Sequence, residues 1–273
     1  MAKVTVNGCE LWYEIKGSGK PVVQIGGAVS GHEGYVYVTP EIAKHFAVID
    51  YDHRGYGMSD RPRQKYTMDT WADDLAGLLD ALGIEKCHVH GGSMGGYIAI
   101  KFATKYPARV DRLVINGAAA RSDFTSRCQF EVWKAVARNY GMDSMELARE
   151  LCTKAFSRAH LDGPKGGPQA VRWMQEATAP NASLHVFLDA CDAMIETDVT
   201  PQLGRVSAPT LLMVGSEDVL TPIDQGPDGA GMRYMHEHIP GSELWIAEGS
   251  GHGLLAEMPE QTVAKVIDFL SVN

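Results

Sequence analysis

Hydrophobic positions along the first fifty residues follow the short periods of β-strands. Residues 3–6 and 11–15 alternate between apolar and polar side chains, and Asn7-Gly8 between them is a strong hairpin turn. Two short apolar runs follow at residues 21–25 and 46–51. These four segments are predicted to be strands.

From Thr67 onward the period lengthens, because apolar residues recur three or four positions apart until Gly83. This spacing is typical of one face of a helix. A short strand at 87–90, a helix at 95–105 and a strand at 110–115 follow. Strands that alternate with helices predict an α/β fold whose sheet is mostly parallel and doubly wound, with helices on both faces.

The middle of the chain breaks this alternation. Residues 121–205 carry helical patterns with no convincing strand, and strand–helix order returns after them. We therefore predict a core domain formed by residues 1–120 and 206–273, with residues 121–205 inserted as a helical cap. The helical stretches of the insertion are 124–139, 144–156, 168–176 and 184–194. After the insertion, the core domain continues with strands at 210–214 and 244–247 and helices at 232–238 and 261–270.

Composition excludes several classes of protein. The 273 residues carry 25 Lys and Arg against 34 Asp and Glu, a net charge of −9, which argues against a nucleic-acid binder with a basic face. No apolar run approaches the ~18–20 residues of a membrane span, and the first residues lack a signal-peptide pattern. The five cysteines, an odd number without a CxxC motif, are expected to be free thiols in a reducing compartment. We expect a cytoplasmic protein that binds neither nucleic acid nor membrane.

A candidate nucleophile lies between the strand at 87–90 and the helix at 95–105. The sequence Gly91-Gly92-Ser93-Met94-Gly95 matches G-x-S-x-G, a sharp strand-to-helix turn that exposes the serine hydroxyl at the helix N-terminus. The flanking glycines let strand and helix pass without a clash. This context favours Ser93 as a nucleophile over a chance Gly-Ser turn.

An activated serine needs a base, and the base needs an acid to orient it. Asp218 follows the strand at 210–214, and His252 follows the strand at 244–247 in a glycine-flanked loop. The order Ser, Asp, His is the one expected for this elbow. Glu217 and Asp123 remain competitors for the role of the acid.

These motifs resemble those of the α/β-hydrolase fold superfamily, in its esterase, enol-lactonase and haloperoxidase-like branch. Residues 52–60, 91–96, 215–222 and 251–252 carry the resemblance, which extends over nearly the whole chain outside the predicted cap. It implies that Ser93 is the nucleophile, His252 the general base and acid, and Asp218 the orienting acid. It also implies that Asp52 and Arg54 shape the loop behind the site without a catalytic role.

The resemblance further implies an oxyanion hole of two backbone N–H groups. One belongs to Met94, the residue after the nucleophile. The other comes from the loop after residues 21–25, where many relatives have His-Gly-x and this chain has Gly26-Gly27-Ala28. We predict Ala28 as this donor, with Gly27 as the alternative one position earlier.

The predicted substrate pocket combines residues of the loop and of the cap. Ordinary packing of the cap helices is the alternative explanation for its apolar members. The predicted pocket residues are His32, Tyr35, Trp133, Trp173 and Met174.

Serine at the elbow excludes haloalkane dehalogenases and epoxide hydrolases of this fold, which need a carboxylate nucleophile. We predict a serine hydrolase that cleaves a small ester or lactone through an acyl-serine, without a cofactor. A C–C hydrolase of aromatic ring-cleavage products stays open, although Gly253 follows the histidine where those relatives usually carry Trp. A hydrolase-fold ligand receptor also stays open. His88 and His90 share a strand face as metal ligands sometimes do, but no further ligands follow them, so no metal is predicted.

Overall fold

The computed structural model describes residues 2–164 and 166–272 of the chain, and one eight-stranded sheet organises them. Each of the eight strands predicted from the sequence is present. The strands are β1 (Ala2–Val6), β2 (Cys9–Lys16), β3 (Pro21–Ile25), β4 (Ala47–Tyr51), β5 (Cys87–Gly92), β6 (Val110–Asn116), β7 (Thr210–Gly215) and β8 (Glu243–Ala247).

The strand order is β1-β2-β4-β3-β5-β6-β7-β8. Strand β2 pairs antiparallel with β1 and β4, and all pairs from β4 to β8 are parallel. Strand β3 pairs with β4 on one side and with β5, the next strand along the chain, on the other. The carboxyl ends of β3 and β5 therefore flank a topological switch point, where open α/β sheets bind their ligands.

Helices cover both faces of the sheet, as predicted. Successive side chains of a strand point to opposite faces, and β7 shows this directly: Leu211 and Met213 belong to one apolar cluster, while Leu212 and Val214 belong to another. The helices of the core domain are α1 (Thr39–Ile42), α2 (Met68–Ala81), α3 (Met94–Lys105), α9 (Met232–His238), α10 (Leu254–Glu257) and α11 (Pro259–Ser271).

The segment between β6 and β7 is helical, and the described part of residues 121–205 contains no β-strand. Its helices lie close to the predicted positions, and a π-helical turn, Met174–Thr178, continues the third predicted stretch. That this segment acts as a cap remains a prediction. Its helices are α4 (Phe124–Tyr140), α5 (Met145–Ala155), α6 (Arg158–Leu161), α7 (Pro168–Trp173) and α8 (Leu184–Glu196).

Several short elements lack a sequence signal. Helices α1 and α10 have only four residues each, and a 3₁₀ turn, His32–Tyr35, follows the loop after β3. Such elements are shorter than the window over which helical periodicity can be recognised. The last helix begins at Pro259 instead of residue 261, because proline is well suited to a first helical turn.

Two smaller expectations concern thiols and membrane spans. All five cysteines are free, and four of them are buried. Within the described residues, no helix has both the length and the apolar character that crossing a membrane requires.

Three histidines are buried in the core, and burial lowers the pKa of each. The pKa falls to about 3 for His53 and to about 4 for His88 and His90. His90 Nε2 lies 2.9 Å from Asn116 Oδ1, whereas neither ring nitrogen of His88 has a hydrogen-bond partner among the described residues. These imidazoles are therefore neutral near pH 7.

Acid should destabilise the protein through these side chains. A histidine whose pKa is lower in the folded protein than its unfolded value of about 6.5 takes up a proton on unfolding when the pH lies between these two pKa values. The stabilisation is complete above pH 6.5 and decreases as the pH falls toward 4. We expect the free energy of unfolding to decrease by about 1.4 kcal/mol per histidine for each pH unit in this window. Urea unfolding between pH 7 and pH 5 measures this decrease.

The variant His88→Leu provides the matched control. It removes one titrating group that lies against Phe46 and has no hydrogen bond to lose. The slope of the free energy of unfolding against pH should decrease by about 1.4 kcal/mol per pH unit, which is the contribution of one proton. An unchanged slope in this variant would show that His88 is not the source of the acid sensitivity.

Candidate active site

Ser93 lies at the turn between β5 and α3, and its backbone has the conformation of a nucleophile elbow. Its φ of 54° and ψ of −122° are strained for a residue with a side chain. The turn depends on close backbone approach, since a Cβ placed on Gly95 would lie 2.1 Å from the Ile25 carbonyl oxygen. The predicted strand–turn–helix context of G-x-S-x-G is therefore present.

Asp218 and His252 meet at the carboxyl ends of β7 and β8. The distance from His252 Nδ1 to Asp218 Oδ2 is 2.9 Å. Asp218 Oδ1 accepts hydrogen bonds from the backbone N–H groups of Leu220 (2.9 Å) and Thr221 (2.8 Å), and the Thr221 hydroxyl donates to Oδ2 (2.8 Å). Asp218 is buried, so this network fixes its carboxylate opposite the imidazole.

Burial alone would raise the pKa of Asp218, but other interactions outweigh it. The adjacent His252 and the hydrogen bonds from Thr221 lower the pKa of the Asp218 carboxyl below its ordinary value. The carboxylate is thus ionised near neutral pH, and it can accept the Nδ1 proton of His252. This tautomer leaves Nε2 free to accept another proton.

The two competing acids lie elsewhere. Glu217 is exposed. Asp123 caps the N-terminus of α4, where its carboxylate accepts hydrogen bonds from the backbone of Ser126 (2.8 Å) and Gly226 (2.9 Å). Among the described residues, Asp218 is the carboxylate that pairs with His252.

Ser93 and His252 line the same cavity, which has a volume of about 160 Å³. The Ser93 N–H donates to the Asn116 carbonyl oxygen at 2.9 Å, which ties the elbow to the end of β6. Over the described residues, no hydrogen bond joins Ser93 Oγ to His252. Catalytic hydrogen bonds are often long in ligand-free sites and tighten when substrate binds.

The loop after β3 lies directly against Ser93. A Cβ placed on Gly27 would be 3.3 Å from Ser93 Cβ. Ala28 lines the cavity, and its carbonyl accepts a hydrogen bond from the Tyr56 hydroxyl at 3.0 Å. The N–H groups of Gly27, Ala28 and Met94 donate to no other described residue, so Gly27 and Ala28 both stay available as the second predicted donor.

Asp52 and Arg54 support the loops behind the site. The Asp52 carboxylate accepts hydrogen bonds from the backbone N–H groups of His32 (3.0 Å) and Met58 (2.9 Å). Arg54 pairs with Asp74, with an Nε–Oδ2 distance of 2.6 Å. Both side chains are buried and lie outside the set that lines the cavity.

The structure does not bring His32 to the cavity, which corrects one of the predicted pocket residues. Its Nδ1 lies 2.8 Å from Asp52 Oδ1, and its ring lies against Trp12 with centroids 4.3 Å apart. The buried carboxylate thus holds the imidazole on the far side of the loop. A sequence position next to the loop cannot indicate this orientation.

The other four predicted pocket residues, Tyr35, Trp133, Trp173 and Met174, line the cavity. Sequence reasoning missed several further lining residues. Asn116 could have been found, because it ends a parallel strand beside the elbow. The other missed residues include Tyr37, Leu151, Phe156, Leu220 and Leu255.

Comparisons with known proteins identify the family of the chain. The family model for the alpha/beta hydrolase fold matches residues 20–259. The AB hydrolase superfamily protein YisY of Bacillus subtilis (strain 168) is 30% identical over 269 residues, which cover 95% of this chain and 94% of the relative. The 3-oxoadipate enol-lactonase 2 of Acinetobacter baylyi is 30% identical over 220 residues, 80% of this chain and 75% of that protein.

A solved structure extends the similarity to three dimensions. A thermophilic esterase from Thermogutta terrifontis superposes with a TM-score of 0.84 at 29% sequence identity, covering 98% of this chain and 97% of the esterase. The match of the family model over most of the chain, together with relatives at this level of identity, leads to one conclusion: the chain belongs to the α/β-hydrolase fold family.

Proposed function

We propose that this protein is a serine hydrolase that cleaves a carboxylic ester or lactone through an acyl-serine intermediate. The observation that carries the proposal is the buried Asp218–His252 pair, which shares one cavity with Ser93 at a strained elbow. Relatives named as an enol-lactonase and an esterase support the same reaction class.

In the proposed acylation step, Ser93 Oγ attacks the substrate carbonyl carbon and gives its proton to His252 Nε2. The carbonyl π electrons move to oxygen and form an oxyanion. Asp218 stabilises the imidazolium through Nδ1 and does not itself take the proton. When the oxyanion collapses, the bond to the leaving oxygen breaks, and His252 returns the proton to that oxygen.

Deacylation repeats these events with water in place of Ser93. His252 accepts a proton from the water, whose oxygen attacks the acyl carbon. Collapse of the second oxyanion breaks the bond to Ser93 Oγ, which regains its proton from His252. Atoms and charges balance without a cofactor or metal.

We assign the oxyanion to the N–H groups of Met94 and Ala28. The Met94 N–H is at the N-terminus of α3, where the helix dipole favours negative charge. Ala28 belongs to the loop that lies against Ser93. A donor in such a position is worth about 3–4 kcal/mol of transition-state stabilisation.

Turnover of a simple ester tests the proposal. The purified protein should release many equivalents of 4-nitrophenolate from 4-nitrophenyl butyrate, and a rapid quench should show one butyryl group added to the intact mass. The butyryl group arises because the Ser93 oxygen keeps the acyl group when the phenolate leaves. A folded protein that releases no more product than buffer would contradict the proposal and favour a ligand receptor.

A further inference from the structure

The cavity beside Ser93 is lined by neutral side chains. Of the described residues that line it, none is Lys, Arg, Asp or Glu. Besides Ser93, its polar side chains are those of Ser30, Tyr35, Tyr37, Asn116 and His252, together with the indole N–H groups of Trp133 and Trp173. The Trp133 N–H is buried and has no hydrogen-bond partner among the described residues, so it is a neutral donor available to a bound group. Any charge on a bound group would therefore have to be stabilised by neutral donors or by solvent.

Several of the polar groups that line the cavity already have hydrogen-bond partners within the protein. The Tyr35 hydroxyl lies 3.0 Å from the carbonyl oxygens of both Ile25 and His90. Asn116 Oδ1 pairs with His90. His252 faces the buried carboxylate of Asp218, so its positive charge, when it forms, is already balanced. The buried carboxylate of Asp218, next to His252 at the edge of the cavity, is negative and disfavours a bound anion.

Aromatic and aliphatic side chains form the rest of the wall. Tyr37 and Trp173 meet with ring centroids 5.9 Å apart, and Tyr37 is 46% exposed. These two rings therefore lie where the cavity approaches the surface. Trp133, Leu151 and Phe156 come from the helical segment between β6 and β7 and close the cavity from that side.

The volume limits what the cavity can hold. A dry apolar cavity of about 150 Å³ accommodates benzene, and the cavity here has about 160 Å³. It is therefore large enough for a hydrocarbon group of about the size of benzene, with about six carbon atoms. The acyl group stays bonded to Ser93 through both chemical steps. The alcohol of an ester leaves after the first step, and the alcohol of a lactone remains part of the acyl group, so we assign the cavity to the acyl group.

We infer that the substrate carries an uncharged acyl group whose hydrocarbon part is about the size of a benzene ring, such as a branched alkanoyl or a benzoyl group, and that acyl groups with a carboxylate are rejected. This inference rests on the proposed function and narrows its substrate class. It excludes lactones and esters of dicarboxylic acids, whose acyl-enzyme would place a second carboxylate among these side chains.

The physical reason is the cost of desolvating an ion. A carboxylate transferred from water into an apolar site loses its hydration and needs a paired cation to recover the free energy. The described wall of the cavity offers no such cation. We expect kcat/KM for a neutral ester to exceed that for a carboxylate-bearing ester of the same shape by at least about 100-fold.

Two esters with the same leaving group test this expectation. 4-Nitrophenyl 5-methylhexanoate ends in an isopropyl group, and mono-4-nitrophenyl glutarate ends in a carboxylate of similar shape and position. Each enzymatic kcat/KM is divided by the rate constant for hydroxide-catalysed hydrolysis, which removes the difference in intrinsic reactivity. A normalised preference below about 100-fold, or a preference for the glutarate, would overturn the inference.

A charged variant tests the cause of the preference. In Trp173→Arg, a guanidinium replaces the indole beside Tyr37, on whose ring it can stack. The preference for the neutral ester should fall at least tenfold relative to Trp173→Gln, which removes the indole without adding charge. Equal preferences in the two variants would show that the missing cation does not set the selectivity.

The outcomes separate this inference from the proposed function. If the protein hydrolyses both esters equally and Ser93→Ala hydrolyses neither, the proposed function holds and the neutral-acyl inference fails. If the folded wild-type protein hydrolyses 4-nitrophenyl butyrate but neither of these esters, the neutral-acyl inference fails. If it hydrolyses none of the three esters, the proposed function itself fails. Thermal melting of each variant shows whether the compared proteins are folded.

Discussion

Ser93→Ala is expected to lower kcat for ester hydrolysis by about 10⁶-fold, the size of the loss known for removing the nucleophile of a serine protease triad. The methyl side chain of alanine cannot form the acyl-enzyme, so only the oxyanion donors and substrate binding would still accelerate hydrolysis. Steady-state release of 4-nitrophenolate from 4-nitrophenyl butyrate measures the loss.

Ser207→Ala is the matched control, because Ser207 is exposed in the loop before β7. It should retain the full wild-type rate. Ser93→Ala should also remain folded, since alanine removes one hydroxyl and keeps the Cβ at the elbow. A Ser93→Ala protein with more than a tenth of the wild-type kcat would show that the hydrolysis occurs elsewhere.

Asp218→Asn is expected to lower kcat by about 10⁴-fold, the effect known for the equivalent change in a serine protease triad. The amide keeps the shape of the carboxylate, but it presents no negative charge to His252. Its NH₂ group also favours the wrong imidazole tautomer, with the proton on Nε2 instead of Nδ1. Measured kcat for the same ester tests this expectation, and substrate binding should change much less.

Glu217→Gln controls for this change, because it removes one exposed carboxylate from the neighbouring position. Its rate should stay at the wild-type level. Asp123→Ala should act through stability, since it removes the side chain that caps α4. If Glu217→Gln lost activity and Asp218→Asn retained it, the assignment of the acid would be wrong.

The sheet and the main helices could be predicted because each has a strong local signal. The strands combine short apolar runs with turn residues, and α2 and α4 have long helical periods. The position of Ser93 could also be predicted, because the turn around it requires glycines. The structure shows why: Gly95 lies against the Ile25 carbonyl, where a side chain would clash.

The meeting of Asp218 and His252 could be anticipated because parallel strands end at the same edge of a sheet. Strands β7 and β8 are neighbours, so the loops after them lie side by side. The choice between Asp218, Glu217 and Asp123 could not be made from the sequence. It depends on which carboxylate faces inward and which one caps a helix.

The pocket was the least predictable part of the site. His32 and Tyr35 are three residues apart in one 3₁₀ turn, yet only Tyr35 lines the cavity, because the Asp52 carboxylate binds His32 from behind the loop. Phe156 follows the C-terminus of α5, and its contribution depends on how the helices of the insertion pack together. Such orientations are set by tertiary contacts that no local pattern encodes.

The measurement that tests the central claim most directly is labelling with a fluorophosphonate followed by intact mass analysis. The reagent reacts with an activated serine much faster than with an ordinary hydroxyl group. We predict one adduct on the wild-type protein, on Ser93, and none on Ser93→Ala under the same conditions. An unlabelled wild-type protein that is folded, or equal labelling of Ser93→Ala, would contradict the assignment of Ser93 as an activated nucleophile.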